Sequence, residues 1–255
     1  MNTELRHSLW NALDIAIWST AGFQLKQYGT PDITSFARAL WFGFFKEPMD
    51  TIPDRSSKIL SHIREYFYKC EWFEVYDLLE FIASHYNSDK EKRHLQGFLN
   101  RVLERELSGY RFVSGSLTDI TGPEELAMLE QALKDNRFAG VAAHLQRSVE
   151  LYSNRDNPDY RNSIKESISA VEAMARLASE NPKATLADAL KAIEKRGTLH
   201  PALKDGFLKL YGYTSDEGGI RHAMLDEPIL TAADARYFLL SCTSFSNYLK
   251  SQLPQ

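Results

Sequence analysis

Tyr160-Arg-Asn-Ser-Ile-Lys-Glu-Ser-Ile-Ser-Ala-Val-Glu-Ala-Met-Ala-Arg-Leu-Ala-Ser179 runs for twenty residues without a proline or a glycine. Ile164, Ile168, Val171, Ala175 and Ala178 recur every three or four residues, the spacing that brings side chains onto one face of an α-helix. Lys165, Ser169, Glu172 and Arg176 step along the opposite face, with Asn162 and Glu166 beside them. A face of this kind is ordinarily a solvated one stitched by i,i+4 pairs such as Glu172 with Arg176. The segment therefore predicts a helix buried on one side, and it makes all-α the natural reading for what surrounds it.

Working outward, Gly140 to Tyr152 repeats the pattern through Val141, Leu145 and Val149, and the polar turn Ser153 to Asp159 separates the two helices. Upstream, Thr121-Gly122-Pro123-Glu124-Glu125 opens a helix carrying Leu126, Leu129 and Leu133, since proline suits the first turn and acids suit the positive end of the helix dipole. Downstream, Leu186 to Ile193 and Pro201 to Tyr211 are short helices. Thr231 to Leu253 is a long one through Ala235, Phe238, Leu239, Cys242, Phe245 and Leu249. The second half is expected to be a bundle of about five helices with short connections, apart from Gly212 to Pro228.

That exception sets Arg221 beside His222 after two glycines. Histidine exchanges protons near neutrality and arginine is a permanent cation with a planar fork, a pairing suited to phosphodiester chemistry. The same dipeptide also fits a structural role, with Arg221 paired to Asp216 or Glu217 and His222 capping or packing a helix end.

The first half has a different character. All four tryptophans and ten of the fourteen phenylalanines fall before residue 113, which implies a second core. Helical spacing recurs in Leu5 to Ile17, in Phe36 to Phe44 after the start signal Thr30-Pro31-Asp32, and in Ile59 to Phe67 after an expected cap at Asp54. It continues from Glu71 to His85 and, after the break that begins at Asn87, from Leu95 to Glu106. Tyr110 to Ile120 breaks the pattern around Ser114-Gly115-Ser116 and reads as a small hairpin.

At 255 residues the chain accommodates one large or two modest domains. A net charge of −4 excludes the overall basicity of a protein that coats nucleic acid and leaves a local basic patch open. Cys70 and Cys242 are the only cysteines, so neither a disulfide framework nor a thiolate metal site is indicated. The start Met-Asn-Thr-Glu-Leu-Arg-His lacks a signal peptide's features, and Ala39 to Phe45 is too short to span a bilayer. A cytoplasmic protein without membrane attachment is expected. Phosphate-cradling glycine motifs, H-E-x-x-H and G-x-S-x-G are all absent, so no metal or cofactor is expected.

Tyr160 to Ala173, Tyr213 to His222 and Phe245 to Leu249 together resemble the HEPN superfamily of helical, nucleic-acid-associated domains. The combination with an aromatic helical module is similar to the AbiJ-type abortive-infection proteins. The resemblance implies a helical N-terminal module over residues 1–122, ending in the hairpin, and a HEPN-like bundle over 123–255. It implies metal-independent RNA cleavage, with Arg221 stabilising phosphate charge and His222 moving the proton, and with Lys165, Glu166, Ser169 and Glu172 binding RNA or supporting the site. It further implies a homodimer with a composite site, RNA as ligand and a partner protein in a defence system. The family's R-x(4-6)-H pattern expects histidine where this sequence has Asp226, Glu227 or Pro228, so the resemblance also admits a non-catalytic module that binds RNA, a small effector or a protein. Arg55 with His62 and Arg137 with His144 satisfy the same spacing on ordinary helical segments.

Overall fold

The side chain of Asn2 accepts a hydrogen bond from the Leu5 N–H at 2.8 Å and so opens the first helix, α1 (Thr3–Leu13). The computed structural model describes residues 1–19, 33–85, 88–134, 136–215 and 230–253. Among them the protein is all-α with one small β-hairpin, as the periodicities predict. Two compact units form, Met1–Asp119 and Ile120–Gln255. Thr30-Pro31-Asp32, Asn87 and the segment holding Arg221 and His222 lie outside the described residues. No described helix is long and apolar enough to cross a membrane.

In the first unit α1 continues through a π-helical turn, Asp14–Trp18, and α2 (Ile33–Ala39) through another, Leu40–Phe45. Helices α3 (Ser56–Lys69), α4 (Trp72–His85) and α5 (Asp89–Arg105) follow. Leu9, Leu13, Ile17, Trp41, Ile63, Phe67, Leu79 and Leu99 are fully buried in one core. Arg6 of α1 donates to the carbonyls of Phe67 and Cys70 at 3.0 Å, satisfying oxygens that the end of α3 leaves unpaired. Helix α3 starts one residue later than a cap at Asp54 requires. Arg55 is the N-cap, in extended conformation and without a side-chain bond.

Strands β1 (Arg111–Val113) and β2 (Ser116–Thr118) pair antiparallel, Phe112 opposite Leu117. Ser114 and Gly115 both have positive φ, 49° and 100°, as a tight hairpin turn with the strands' own twist requires. Phe112 turns its backbone away from β2. Its N–H donates to Asn100 Oδ1 at 2.7 Å and its carbonyl accepts from Asn100 Nδ2 at 3.0 Å, so one amide of α5 replaces a neighbouring strand. On the other edge the Leu117 N–H donates to Glu80 of α4.

The second unit contains α6 (Pro123–Lys134), α7 (Ala139–Ser153), α8 (Tyr160–Ser179), α9 (Leu186–Lys195), α10 (Pro201–Ser215) and α11 (Ala232–Ser251). Among the described residues the second unit thus has six helices, against the about five expected. Helix α8 is central, packed by α7, α9 and α11, and Ile164, Ile168, Ala170, Val171 and Ala175 have no exposure. Asp159 caps its start by accepting from the Asn162 N–H at 3.0 Å. Arg196 caps its end, donating to the carbonyls of Ala178 at 3.0 Å and Ser179 at 3.1 Å. Arg236 of α11 reaches Glu125 of α6 at 2.6 Å.

Helix α10 runs four residues past the expected stop at Tyr211, to Ser215. Tyr213 stacks on Phe238 of α11 at 5.9 Å and Thr214 is buried, contacts that outweigh the low helical preference of Gly212.

At the start of α11, Thr231 and Asp234 cap each other. The Asp234 carboxylate accepts from the Thr231 hydroxyl at 2.7 Å and from its N–H at 2.9 Å, and the Thr231 oxygen accepts from the Asp234 N–H at 3.3 Å. These bonds from Thr231 hold the Asp234 carboxyl below its usual range. Replacing Thr231 with alanine is expected to lower stability by about 1 kcal/mol, read by urea denaturation. The carboxylate's contribution is complete above the ordinary aspartate pKa of about 4 and is lost as pH falls through the depressed folded value. Asp234→Asn should therefore flatten the acid limb of a stability-against-pH curve and leave its neutral part with a constant offset.

Candidate functional site

Helices α7 and α8 meet through serines. Ser148 Oγ donates to the Ser163 carbonyl at 2.8 Å and lies 2.7 Å from Ser167 Oγ, while Ser163 Oγ donates to the Ser148 carbonyl at 3.0 Å. All three side chains are fully buried, and their hydroxyls satisfy one another where no water reaches. Small side chains let the two backbones approach closely. The pairing of Ser148 with Ser163 and of His144 with Glu166 shows that the helices run antiparallel.

One turn before Ser148, the seam opens to solvent at His144. Its Nδ1 lies 2.6 Å from Glu166 Oε2, with the two side chains 41% and 26% exposed. A histidine held by a carboxylate is the arrangement of a base and its orienting group. Lys165, next in sequence to Glu166, is exposed. Ser169 Oγ donates back to the Lys165 carbonyl at 3.0 Å, so that hydroxyl is used within its own helix.

Further along α8, Glu172 is held from two sides. The Tyr211 hydroxyl of α10 donates to it at 3.2 Å, and Arg176 Nη2 lies 3.6 Å away, leaving the Glu172 side chain 17% exposed. Arg176 also donates through Nε to the Ala184 carbonyl at 3.1 Å. Lys165, Ser169 and Glu172 therefore share a strip of α8, while Glu166 turns aside to α7. The two carboxylates stand six residues apart, about 9 Å of helical rise, and answer to different helices. Arg221 and His222 follow α10 in the chain and lie outside the described residues.

Sequence reasoning missed His144 and Tyr211. The first had a signal, since Arg137 and His144 carry the R-x(6)-H spacing, yet nothing local distinguishes that spacing on a helix from chance. Tyr211 had none, because its partner is thirty-nine residues away.

The cysteines offer no nucleophile at neutral pH. Burial pushes the Cys242 thiol of α11 far up, and burial pushes the Cys70 thiol up to about 11. Among the described residues no three His, Cys, Asp or Glu side chains are grouped to hold a metal ion.

Residues 1–135 match AbiJ N-terminal domain 4, just over half of the chain. The chain belongs to that family. The AbiJ match takes in the aromatic core, the hairpin and α6, and marks the chain as an AbiJ-type abortive-infection protein. No curated protein and no solved structure matches it.

Ser148→Val in this AbiJ chain is expected to destabilise by about 1–3 kcal/mol, because it forces bulk between closely packed helices. By contrast, a double-mutant cycle on His144 and Glu166 should give a coupling below about 1 kcal/mol, as suits a half-exposed pair. Both follow from urea unfolding of the single and double variants.

Proposed function

We propose that this AbiJ-family protein is a defence effector whose second unit is a HEPN-like bundle that cleaves RNA without a metal. The observation that carries this reading is the Tyr211–Glu172 hydrogen bond, which fastens the end of α10 to the polar strip of α8. The segment containing Arg221 and His222 begins directly after α10. The family membership supports the defence role, and the chemistry of the dipeptide supports the reaction.

In this reading His222 takes the proton from a ribose 2′-hydroxyl. The 2′-oxygen bonds to phosphorus, the bond from phosphorus to the 5′-oxygen breaks, and that oxygen leaves with a proton from solvent. Arg221 stabilises the charge that develops on the phosphate oxygens. Lys165 offers a cation to the backbone, Glu172 and Glu166 fix their neighbours, and Ser169 lines the strip. A second copy of the chain completes a composite site.

One sequence feature favours a second reading. Asp226, Glu227 and Pro228 occupy the positions where the pattern expects a catalytic histidine, which suits a module that binds RNA, a small effector or a partner protein without cutting.

Incubation with transfer RNA in the presence of a chelator separates the two. The first reading expects products ending in a 2′,3′-cyclic phosphate, and losses of about 10²- to 10⁴-fold in turnover for Arg221→Ala and for His222→Ala. Undiminished cleavage by either variant removes that residue from the site. Saturable RNA binding with no turnover by the wild type replaces the first reading with the second.

A further inference from the structure

One local excess of positive charge lies away from the α8 strip. Residues 183–209 hold six Lys or Arg against three Asp or Glu, net +3 within a chain of net −4. All three acids are engaged: Asp188 accepts from Thr185 at 2.7 Å, and Glu194 and Asp205 pair with Lys204 at 2.6 Å and 3.3 Å. Arg196 is spent on Glu180 and on the carbonyls that end α8. Of the four lysines left, Lys191 and Lys195 stand one turn apart on α9, both exposed and with no partner among the described residues.

These two lysines form one wall of a groove of about 640 Å³ where α9 turns into α10. The turn is made possible by Gly197, whose φ of +78° suits glycine. Tyr248 of α11 supplies an aromatic wall, its hydroxyl donating to the Thr198 carbonyl at 3.3 Å. His200 also lines the groove. Its Nδ1 accepts from the Ala202 N–H at 3.2 Å, so the proton of the neutral ring sits on Nε2, a donor. The first-turn N–H groups of α10 are already used, those of Leu203 and Lys204 on the His200 carbonyl. The charge offered to an anion is therefore that of the lysines and not of the helix end.

Two unpaired cations beside an aromatic face match the needs of a single strand, which presents phosphates and unstacked bases together. We infer that this groove binds a single-stranded segment of RNA, its phosphates on Lys191 and Lys195, a base on Tyr248 and a hydrogen bond from His200. The inference rests on RNA being the ligand of this protein, and it adds a contact region apart from Arg221 and His222 in sequence.

Fluorescence anisotropy of the full chain with a labelled oligouridylate, across a salt series, tests it. Lys191→Gln with Lys195→Gln should lower the slope of log affinity against log salt by about 1.4, since each lost phosphate contact on a single strand is worth about 0.7. Tyr248→Leu should weaken binding about tenfold at unchanged slope, and Tyr248→Phe should stay near wild type. Lys58→Gln on α3 should leave the slope alone. Circular dichroism melts confirm that the variants are folded. If the wild type binds and the double lysine variant keeps its slope, the groove assignment is overturned while the proposed function stands. If the wild type binds no RNA at all, both fall.

Discussion

The second unit depends on how closely α7 and α8 approach one another. Ser148, Ser163 and Ser167 make that approach possible by being small, and they keep it from leaving polar groups stranded by bonding to each other and to the facing carbonyls. Once α8 is held this tightly, and is covered also by α9 and α11, little of its circumference is left for solvent. The remaining strip is polar, and its two carboxylates are each oriented by a neighbour, Glu166 by His144 and Glu172 by Tyr211 and Arg176. Packing and chemistry are linked here: the same seam that buries the serines sets the angle at which His144 meets Glu166.

Arginines recur as devices for ending helices. Arg6 reaches the last carbonyls of α3 from α1, and Arg196 reaches those of α8 from the end of α9. In each case a fixed cation answers both the unpaired oxygens and the negative end of the helix dipole. Each side chain also ties its helix end to another segment of its own unit, so these contacts contribute to tertiary order as well as to helix termination.

Much of the fold was legible because the apolar residues of most helices keep a clean period. Ile164, Ile168 and Val171 announced α8, and Ser114-Gly115 announced the hairpin through the positive φ such turns demand. What escaped depended on residues distant in sequence. Gly212 reads as a helix end until Tyr213 finds Phe238, and Asp54 reads as a cap until the chain instead enters α3 at Arg55. The candidate site divides the same way. Spacing alone put Lys165, Ser169 and Glu172 on one strip of α8, whereas the partners of Glu166 and Glu172 come from helices whose register no local pattern records.

The hairpin of the first unit carries one more consequence. A two-stranded ribbon ordinarily exposes two edges of backbone donors and acceptors, open to strand addition by another molecule. Here Asn100 occupies both outward groups of Phe112, and Glu80 takes the outward N–H of Leu117. The helices thus act as blocking groups on both edges of the ribbon. A chain that presents its few β-residues in this way is guarded at those edges against β-type self-association when many copies are crowded together.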